Sequence, residues 1–330
     1  MMDKRVTNCA RTAAGAMFAV LAVSAAVRAE YPDQPIKAVV PFAAGGYVDG
    51  FARIFTDRLG ALLGKAVIVE NKPGAGGKIG DDYVAASRPD GLTLLIDDVT
   101  RPVLSTLTNP DVAPNEMLEN FALAGMLGSS PIILTAAATL GVKDFASLIA
   151  KVKAAPGKYS YGTPGPGTPS HVVSAQIVRL FGLDVVHVPY RGGAATLADV
   201  AGGTLAWMVN TPNSALPLID ADKVVPLFVI GRKRLKQLHD VPTLEELGYP
   251  QFTDEIGTIF LMAPAATPAP ILDRLNEATN RVQKDPEVIA RLDALALVAP
   301  PPDISRAAIR ALAAEQIAAW TRAVNMAAGR

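Results

Sequence analysis

Apolar residues follow two spacings that alternate along the chain. Short runs rich in Val and Ile alternate with longer segments whose apolar residues recur every three or four positions, which is typical of strands followed by amphipathic helices. The predicted strands are residues 36–40, 66–70, 92–96, 132–134, 159–161, 185–188, 205–209 and 225–230. The predicted helices are residues 49–63, 79–87, 144–154, 170–181, 196–201, 270–297 (broken near Asp285-Pro286) and 305–328. We interpret the apolar stripe of the last helix as core packing.

This order of elements predicts an α/β protein with two lobes, each built on a mostly parallel sheet flanked by helices. We assign residues 30–130 and 254–330 to the first lobe and residues 131–253 to the second. In open sheets of this kind a ligand binds beyond the carboxyl ends of the strands. The cleft between the lobes is therefore the predicted binding site.

The first 29 residues have the pattern of a cleaved signal peptide. Basic residues (Lys4, Arg5 and Arg11) precede a small, apolar run at residues 12–26, and Val27-Arg28-Ala29 offers a cleavage site. The apolar run is shorter than the roughly 20 residues that a membrane span needs. The sequence therefore predicts export to the periplasm.

Composition excludes several classes of site and partner. The single cysteine, Cys9, lies in the leader, so the mature chain has no disulfide and no thiolate metal site. Without the leader's four basic residues and one acidic residue, the net charge is −3, and no basic cluster indicates nucleic-acid binding. The histidines (His171, His187 and His239) lack metal-ligand spacing. We expect no metal, no cofactor and no nucleic acid, and we interpret His187 as a structural residue with a hydrogen-bonded ring.

Two glycine-rich loops occupy equivalent positions, each after a strand and before a helix. The first contains Ala43-Ala44-Gly45-Gly46, and the second runs from Gly162 to Ser170. Amides at a helix N-terminus lack intrahelical partners and attract anions, and glycine lets a ligand oxygen approach the backbone. A single loop of this kind is more often only a turn. Two of them at equivalent positions support a site that holds each end of a small acid as well as they support a pair of turns.

Motifs that would specifically indicate catalysis or nucleotide binding are missing from the sequence. Ile79 stands where a dinucleotide loop needs its third glycine, and Gly77-Lys78 is not followed by the Ser or Thr of a P-loop. No G-x-S-x-G motif supports a hydrolase built on Ser170 and His171. We therefore expect a binding protein that is not an enzyme.

A series of short motifs lies along the mature chain. They are Tyr31-Pro32-Asp33-Gln34-Pro35-Ile36, Val40-Pro41-Phe42-Ala43-Ala44-Gly45-Gly46, Val69-Glu70-Asn71-Lys72-Pro73-Gly74-Ala75-Gly76-Gly77, Pro89-Asp90-Gly91, Pro156-Gly157-Lys158, Val188-Pro189-Tyr190-Arg191-Gly192, Asp240-Val241-Pro242-Thr243 and Ala263-Pro264. Because these motifs occur in the same order and spacing, the chain resembles the Bug-type substrate-binding proteins of tripartite tricarboxylate transporters over essentially its whole mature length.

The resemblance implies a two-lobed, type II-like periplasmic binding protein that closes on a small organic acid and delivers it to the membrane components of such a transporter. It also implies that the first loop holds a carboxylate through backbone groups and that the second supplies donors from the other lobe. We expect a monomer. The residues expected at the ligand are Phe42, Ala43, Ala44, Gly45, Gly46, Tyr47, Asp49, Asp97, Thr163, Gly165, Gly167, Thr168, Ser170, His171, Tyr190, Arg191 and Asn210.

Among these residues, Thr168 and Ser170 are the side-chain donors favoured on physical grounds. Arg191 follows a strand end, where it would either pair with a carboxylate in bidentate fashion or remain a solvated charge. The sequence favours neither reading.

Departures from the family pattern bear on the ligand. After the third strand the family usually has small and hydroxyl residues, whereas this chain has Asp97-Asp98-Val99-Thr100-Arg101. Two carboxylates would repel a second ligand carboxylate unless Arg101 neutralises them or the ligand carries an amine there. Tyr47 also replaces a small residue, and Asn210 stands where the family often has Asp. We therefore predict a monocarboxylate, an amino acid or an aromatic acid.

Two other functions are compatible with parts of this pattern. A receptor that presents its ligand to a sensor kinase would have the same binding domain and is the main alternative. An exported hydrolase is less favoured, because no nucleophile is credibly spaced from a base.

Overall fold

In the described part of the chain, ten strands form two five-stranded sheets. The computed structural model describes residues 31–252 and 257–330, and the residues from Gln34 onward form one compact unit. The predicted signal peptide and the lobe boundary at residues 253 and 254 lie outside the described residues. Within the described residues, none of the helices has the length and apolarity of a membrane span.

The first sheet and its helices make up what we name the first lobe. Its strands are β1 (Ile36–Val40), β2 (Val67–Asn71), β3 (Thr93–Asp98), β4 (Phe121–Ser130) and β10 (Gly257–Pro264). The intervening helices are α1 (Tyr47–Leu63), α2 (Lys78–Ala85), α3 (Arg101–Ser105) and α4 (Glu116–Asn120). The strand order is β2-β1-β3-β10-β4, with β1 parallel to β2 and β3, and β10 antiparallel to β3 and β4.

The second sheet and its helices make up the second lobe. Its strands are β5 (Ile132–Ala137), β6 (Ser160–Thr163), β7 (Val186–Pro189), β8 (Trp207–Asn210) and β9 (Val224–Ile230). The helices between them are α5 (Phe145–Lys153), α6 (Pro169–Phe181), α7 (Gly193–Ala201) and α8 (Pro212–Asp220). The strand order is β7-β6-β8-β5-β9, with β6 parallel to β7 and β8, and β5 antiparallel to β8 and β9.

The two sheets repeat one arrangement. In each sheet four of the five strands run in one direction, and the reversed strand is the one that enters from the other sheet. Strand β5 follows β4 after the single residue Pro131, and β10 follows β9 after a longer segment. The prediction of a two-lobed α/β fold with mostly parallel sheets is confirmed.

The C-terminal helices complete the core. They are α9 (Ala269–Val282), α10 (Pro286–Ala294) and α11 (Arg306–Ala328). Helix α11 packs against α6 of the second lobe as well as against α3 and β4 of the first. Its apolar stripe, which includes Ile309, Ile317 and Trp320, is buried, so the interpretation of that stripe as core packing is confirmed.

Strand β3 ends in a buried carboxylate that fixes the turn into α3. Asp98 accepts hydrogen bonds from the backbone N–H and the hydroxyl of Thr100, both at 2.7 Å. It also accepts a hydrogen bond from the backbone N–H of Thr258 on the neighbouring strand β10, at 3.3 Å. Burial raises the pKa of Asp98 from its ordinary value of 3.8 to about 6, although these hydrogen bonds oppose the shift.

The raised pKa predicts a pH dependence of stability. Between pH 3.8 and about 6 the unfolded chain releases the Asp98 proton while the folded protein retains it. The free energy of unfolding should therefore fall by about 3 kcal/mol as the pH rises through this window. Urea denaturation of the wild type and of Asp98→Asn at several pH values from 4 to 7 checks this. As the pH rises, the free energy of unfolding of the wild type should fall relative to that of the variant. If the wild type minus variant difference in this free energy stays constant or rises, the raised pKa does not belong to Asp98.

Candidate functional site

A cavity of about 780 Å³ lies in the cleft where the carboxyl ends of strands from both sheets meet. Its lining includes Phe42 after β1, Asp97 near the end of β3, Pro164 after β6 and Asn210 at the end of β8. This is the position at which open α/β sheets bind ligands, because the following helices all begin there.

Four of the helices that begin at this cavity are at least nine residues long, counted within the described residues. Their first residues in the lining are Gly46-Tyr47 for α1, Thr168-Pro169-Ser170 for α6, Gly193-Ala194 for α7 and Asn213-Ser214 for α8. Helices α1, α7 and α8 have no side-chain cap. Because the first N–H groups of a helix lack intrahelical partners and lie at the positive end of its dipole, the four N-termini together favour an anion.

The first loop is held in shape by Asp49, which is buried behind it. The Asp49 carboxylate accepts hydrogen bonds from the Gly45 backbone N–H (2.9 Å), from Arg53 (2.8 Å) and from Asn71 (2.9 Å). Burial disfavours the charged form, but the hydrogen bonds from Arg53, Gly45 and Asn71 outweigh it and lower the pKa of Asp49. Gly45 has a φ of 85°, in the region that favours glycine. The amide of Gly45 is thus used within the loop, and the uncapped helix end begins at Gly46.

The second loop is held in a similar way by His171. Its Nδ1 accepts the Gly167 backbone N–H at 3.2 Å, and the Thr168 hydroxyl donates to the Gly165 carbonyl at 2.8 Å. Burial and, to a smaller extent, the neighbouring His187 lower the pKa of His171 to about 4, so the ring is neutral and Nδ1 can accept. The loop conformation is therefore fixed from behind, without a ligand.

A stack of rings supports this loop from the second lobe. His171 stacks on His187 at 4.5 Å between ring centroids, and His187 stacks on Tyr161 at 5.0 Å. The His187 ring also forms a hydrogen bond of 2.7 Å between Nε2 and the Thr163 hydroxyl. The interpretation of His187 as a structural histidine is confirmed.

The structure brings together only part of the predicted site. The predicted residues that line the cavity are Phe42, Gly45, Gly46, Tyr47, Asp97, Gly167, Thr168, Ser170 and Asn210. The predicted residues outside the lining are Ala43, Ala44, Asp49, Thr163, Gly165, His171, Tyr190 and Arg191. Tyr190 donates its hydroxyl to Asp199, and Arg191 is exposed.

Sequence reasoning missed three groups of lining residues, one of which is Asn213-Ser214 at the start of α8, a helix that the sequence analysis does not predict. Gly193-Ala194 at the start of α7 follows a strand through Gly192, the same signal that identified the first two loops. The third group is apolar and includes Leu104, Ile132 and Met208. These side chains have no feature that distinguishes them from core residues in the sequence.

The lining contributed by β3 and α3 is acidic. Arg101 forms an ion pair with Asp81 and donates from Nε to Oδ2 of Asp97 at 3.3 Å. Burial raises the pKa of Asp97 well above its usual range; the Asp98 backbone amide opposes this shift and the Asp98 charge adds to it. Burial and the carboxylates of Asp98 and Asp97 also raise the pKa of Tyr47, which keeps its hydroxyl protonated.

Across residues 31–252 and 257–330, no cluster of His, Cys, Asp and Glu side chains is arranged to hold a metal ion.

Ser170 has no base beside it. Its hydroxyl is buried, and among the described residues it has no hydrogen-bond partner. The nearest histidine in the sequence, His171, directs Nδ1 to the Gly167 amide instead. The side chain is thus placed as a hydrogen-bonding group of the lining.

Comparison with known proteins gives a consistent family. The model of the tripartite tricarboxylate transporter family receptor matches residues 51–327. BugT of Bordetella pertussis is 31% identical over 314 residues, which cover 94% of this chain and 95% of BugT. Among solved structures, the periplasmic binding protein BugD is 30% identical with a TM-score of 0.75, covering 91% of this chain and 99% of BugD. MatC from Rhodopseudomonas palustris with bound malate is 28% identical with a TM-score of 0.77, covering 89% of this chain and 100% of MatC. The chain therefore belongs to the receptor family of tripartite tricarboxylate transporters.

Proposed function

We propose that this receptor is periplasmic, binds a small organic acid in the cavity between its lobes and delivers it to the membrane components of a tripartite tricarboxylate-type transporter. The observation that carries the proposal is the convergence of four long helix N-termini, three of them without a side-chain cap, on one cavity. A carboxylate is the group that such an arrangement of amides stabilises. The malate bound to MatC supports the same class of ligand.

Binding by closure of the two lobes follows from the connections between the sheets. We propose that the lobes comprise residues 30–130 with 254–330, and residues 131–253, after removal of the signal peptide at residues 1–29. The chain passes from β4 to β5 at Pro131, beside the lining residues Ser130 and Ile132, so a hinge at this point would close the cavity. The first lobe supplies one of the four helix N-termini (α1) and the second lobe supplies three (α6, α7 and α8), so full contact with the ligand requires closure.

The ligand is released unchanged in this proposal. Ser170 would act as a hydrogen-bond donor to the acid and not as a nucleophile, because the structure gives it no partner base. The proposed ligand classes are a monocarboxylate, an amino acid or an aromatic acid. Apolar lining residues such as Leu104, Ile132 and Met208 fit a carbon chain or a ring, and the acidic lining disfavours a second carboxylate.

A calorimetric panel tests the proposed function. Hexanoate, benzoate and 6-aminohexanoate each carry one carboxylate, whereas citrate carries three. We expect at least one of the first three to bind at least about tenfold more tightly than citrate, because a buried like-charge contact costs more than 1.4 kcal/mol. Tight citrate binding without a response to monocarboxylates would contradict the proposed ligand class. A panel in which no acid binds would contradict carboxylate binding itself.

Replacing Gly46 with valine tests the role of the α1 N-terminus. Gly46 has φ −75°, which valine adopts without strain, and a Cβ there would lie 3.6 Å from the Ala43 carbonyl oxygen, an ordinary contact. The fold should therefore persist while the side chain keeps the ligand from the amides. Affinity for the best monocarboxylate of the panel should fall by about tenfold or more, as expected when charge-assisted hydrogen bonds are lost.

The matched control for this variant is Gly50→Val on the same helix. Gly50 lies outside the cavity lining, and a Cβ added there meets no atom within 4 Å. Its affinity should stay close to that of the wild type. If Gly46→Val binds as tightly as Gly50→Val, the first loop is not where the carboxylate sits.

A further inference from the structure

We propose that the ligand carries, besides its carboxylate, a protonated amine that faces Asp97 at the acidic side of the cavity. This inference rests on the proposed function, because it concerns a second group of the acid bound in the same cavity. It selects, from the three proposed ligand classes, an amino acid in the broad sense of a carboxylate with an ammonium group.

The first observation is an unpartnered carboxylate oxygen. Asp97 is 1% exposed and lines the cavity, yet its Oδ1 has no hydrogen-bond partner among the described residues. The other oxygen, Oδ2, accepts a hydrogen bond from Nε of Arg101 at 3.3 Å. A buried acceptor without a partner is costly, so a ligand that supplies a donor here gains what the protein alone lacks.

The second observation is the balance of charge around this oxygen. Among the described residues, the charged side chains that line the cavity are Asp97, Asp98 and Arg101. The guanidinium of Arg101 is already shared with Asp81, which lies outside the lining. Asp81, Asp97 and Asp98 thus have one guanidinium among three carboxyl groups. The side of the cavity formed by β3 and α3 is therefore suited to a cation and unsuited to a carboxylate.

Asp98 differs from Asp97 in having its hydrogen bonds already made. Its carboxylate accepts three, two from Thr100 and one from the backbone of Thr258. Asp98 therefore adds negative charge to this side of the cavity, and Asp97 supplies the open acceptor. This division of roles points to Asp97 as the residue that contacts the amine.

The cavity consequently has two unlike sides. The N-termini of α6, α7 and α8 face the cavity from the second lobe, those of α7 and α8 without a side-chain cap, whereas β3 and α3 contribute more carboxyl groups than cations from the first lobe. An ammonium group has three donors and a positive charge, so it satisfies both the open acceptor and the charge balance. A hydroxyl would satisfy only the acceptor, and a second carboxylate would satisfy neither.

The test compares acids of the same chain length that differ only in whether they carry an amine or a second carboxylate. For chains of four, five and six carbons, calorimetry gives the affinity of the wild type for the unsubstituted acid, the 2-amino acid, the ω-amino acid and the dicarboxylic acid. For at least one combination of chain length and amine position, the amino acid should bind at least about tenfold more tightly than the unsubstituted acid of the same length. The dicarboxylic acid of that length should bind more weakly than the amino acid.

The variant Asp97→Asn tests whether Asp97 is the residue responsible for tighter binding of the amino acid. Within this variant, the ratio between the affinities for the amino acid and the unsubstituted acid should fall to within about threefold of one, whatever the change in each affinity. The matched control is Asp82→Asn, which removes a carboxylate from α2 that is exposed and lies outside the cavity lining. The control should keep the wild-type preference for the amine.

The outcomes separate the two proposals. Wild-type binding that is equal for all four acids, or tightest for the dicarboxylic acid, overturns the amine while leaving carboxylate binding in place. An unchanged amine preference in a folded Asp97→Asn variant overturns the assignment to Asp97. If none of the acids binds, the proposed function itself fails. If Asp97→Asn does not fold, the wild-type series alone still decides whether the amine is recognised.

Discussion

The interaction on which this protein depends is the attraction between an acid and backbone amides that their own helices leave unpaired. Parallel strands place the N-termini of the following helices at one edge of a sheet, and two such sheets facing one cleft bring four long helix ends to one cavity. No single side chain creates this field. It follows from the order of strands and helices, which explains why the turn of the first loop in the lining is formed by Gly45 and Gly46.

The loops that carry these helix ends are shaped before any ligand arrives. Asp49 holds the first loop through the Gly45 amide, and His171 holds the second through the Gly167 amide. Both side chains lie behind the lining and act on the ligand only by fixing the backbone. Helix α11, packed against elements of both lobes, ties this preformed site to the common core. The ordering cost of the loops is thus met during folding and not during binding.

Much of this arrangement could be predicted from the sequence, and the failures have physical causes. The strand at Ile36–Val40 and the helices around Asp144 and Ser305 follow from clear periodicity and capping residues. Strands β4 and β10 were not predicted, because small residues and glycines in β4 and buried apolar residues on both faces of β10 leave no alternation to detect. The two glycine loops were found, but which amides remain open depends on Asp49 and His171, whose partners only the fold reveals. The position of Arg191 away from the lining could not be read from sequence spacing either.

The most direct measurement is a crystal structure of the protein with a bound monocarboxylic or amino acid. The account predicts a carboxylate oxygen within about 3.2 Å of the backbone amides at the start of α1, with a second contact from the start of α6 in the other lobe. An occupant whose carboxylate lies away from both helix ends, or is held instead by a side-chain cation such as Arg191, would contradict it.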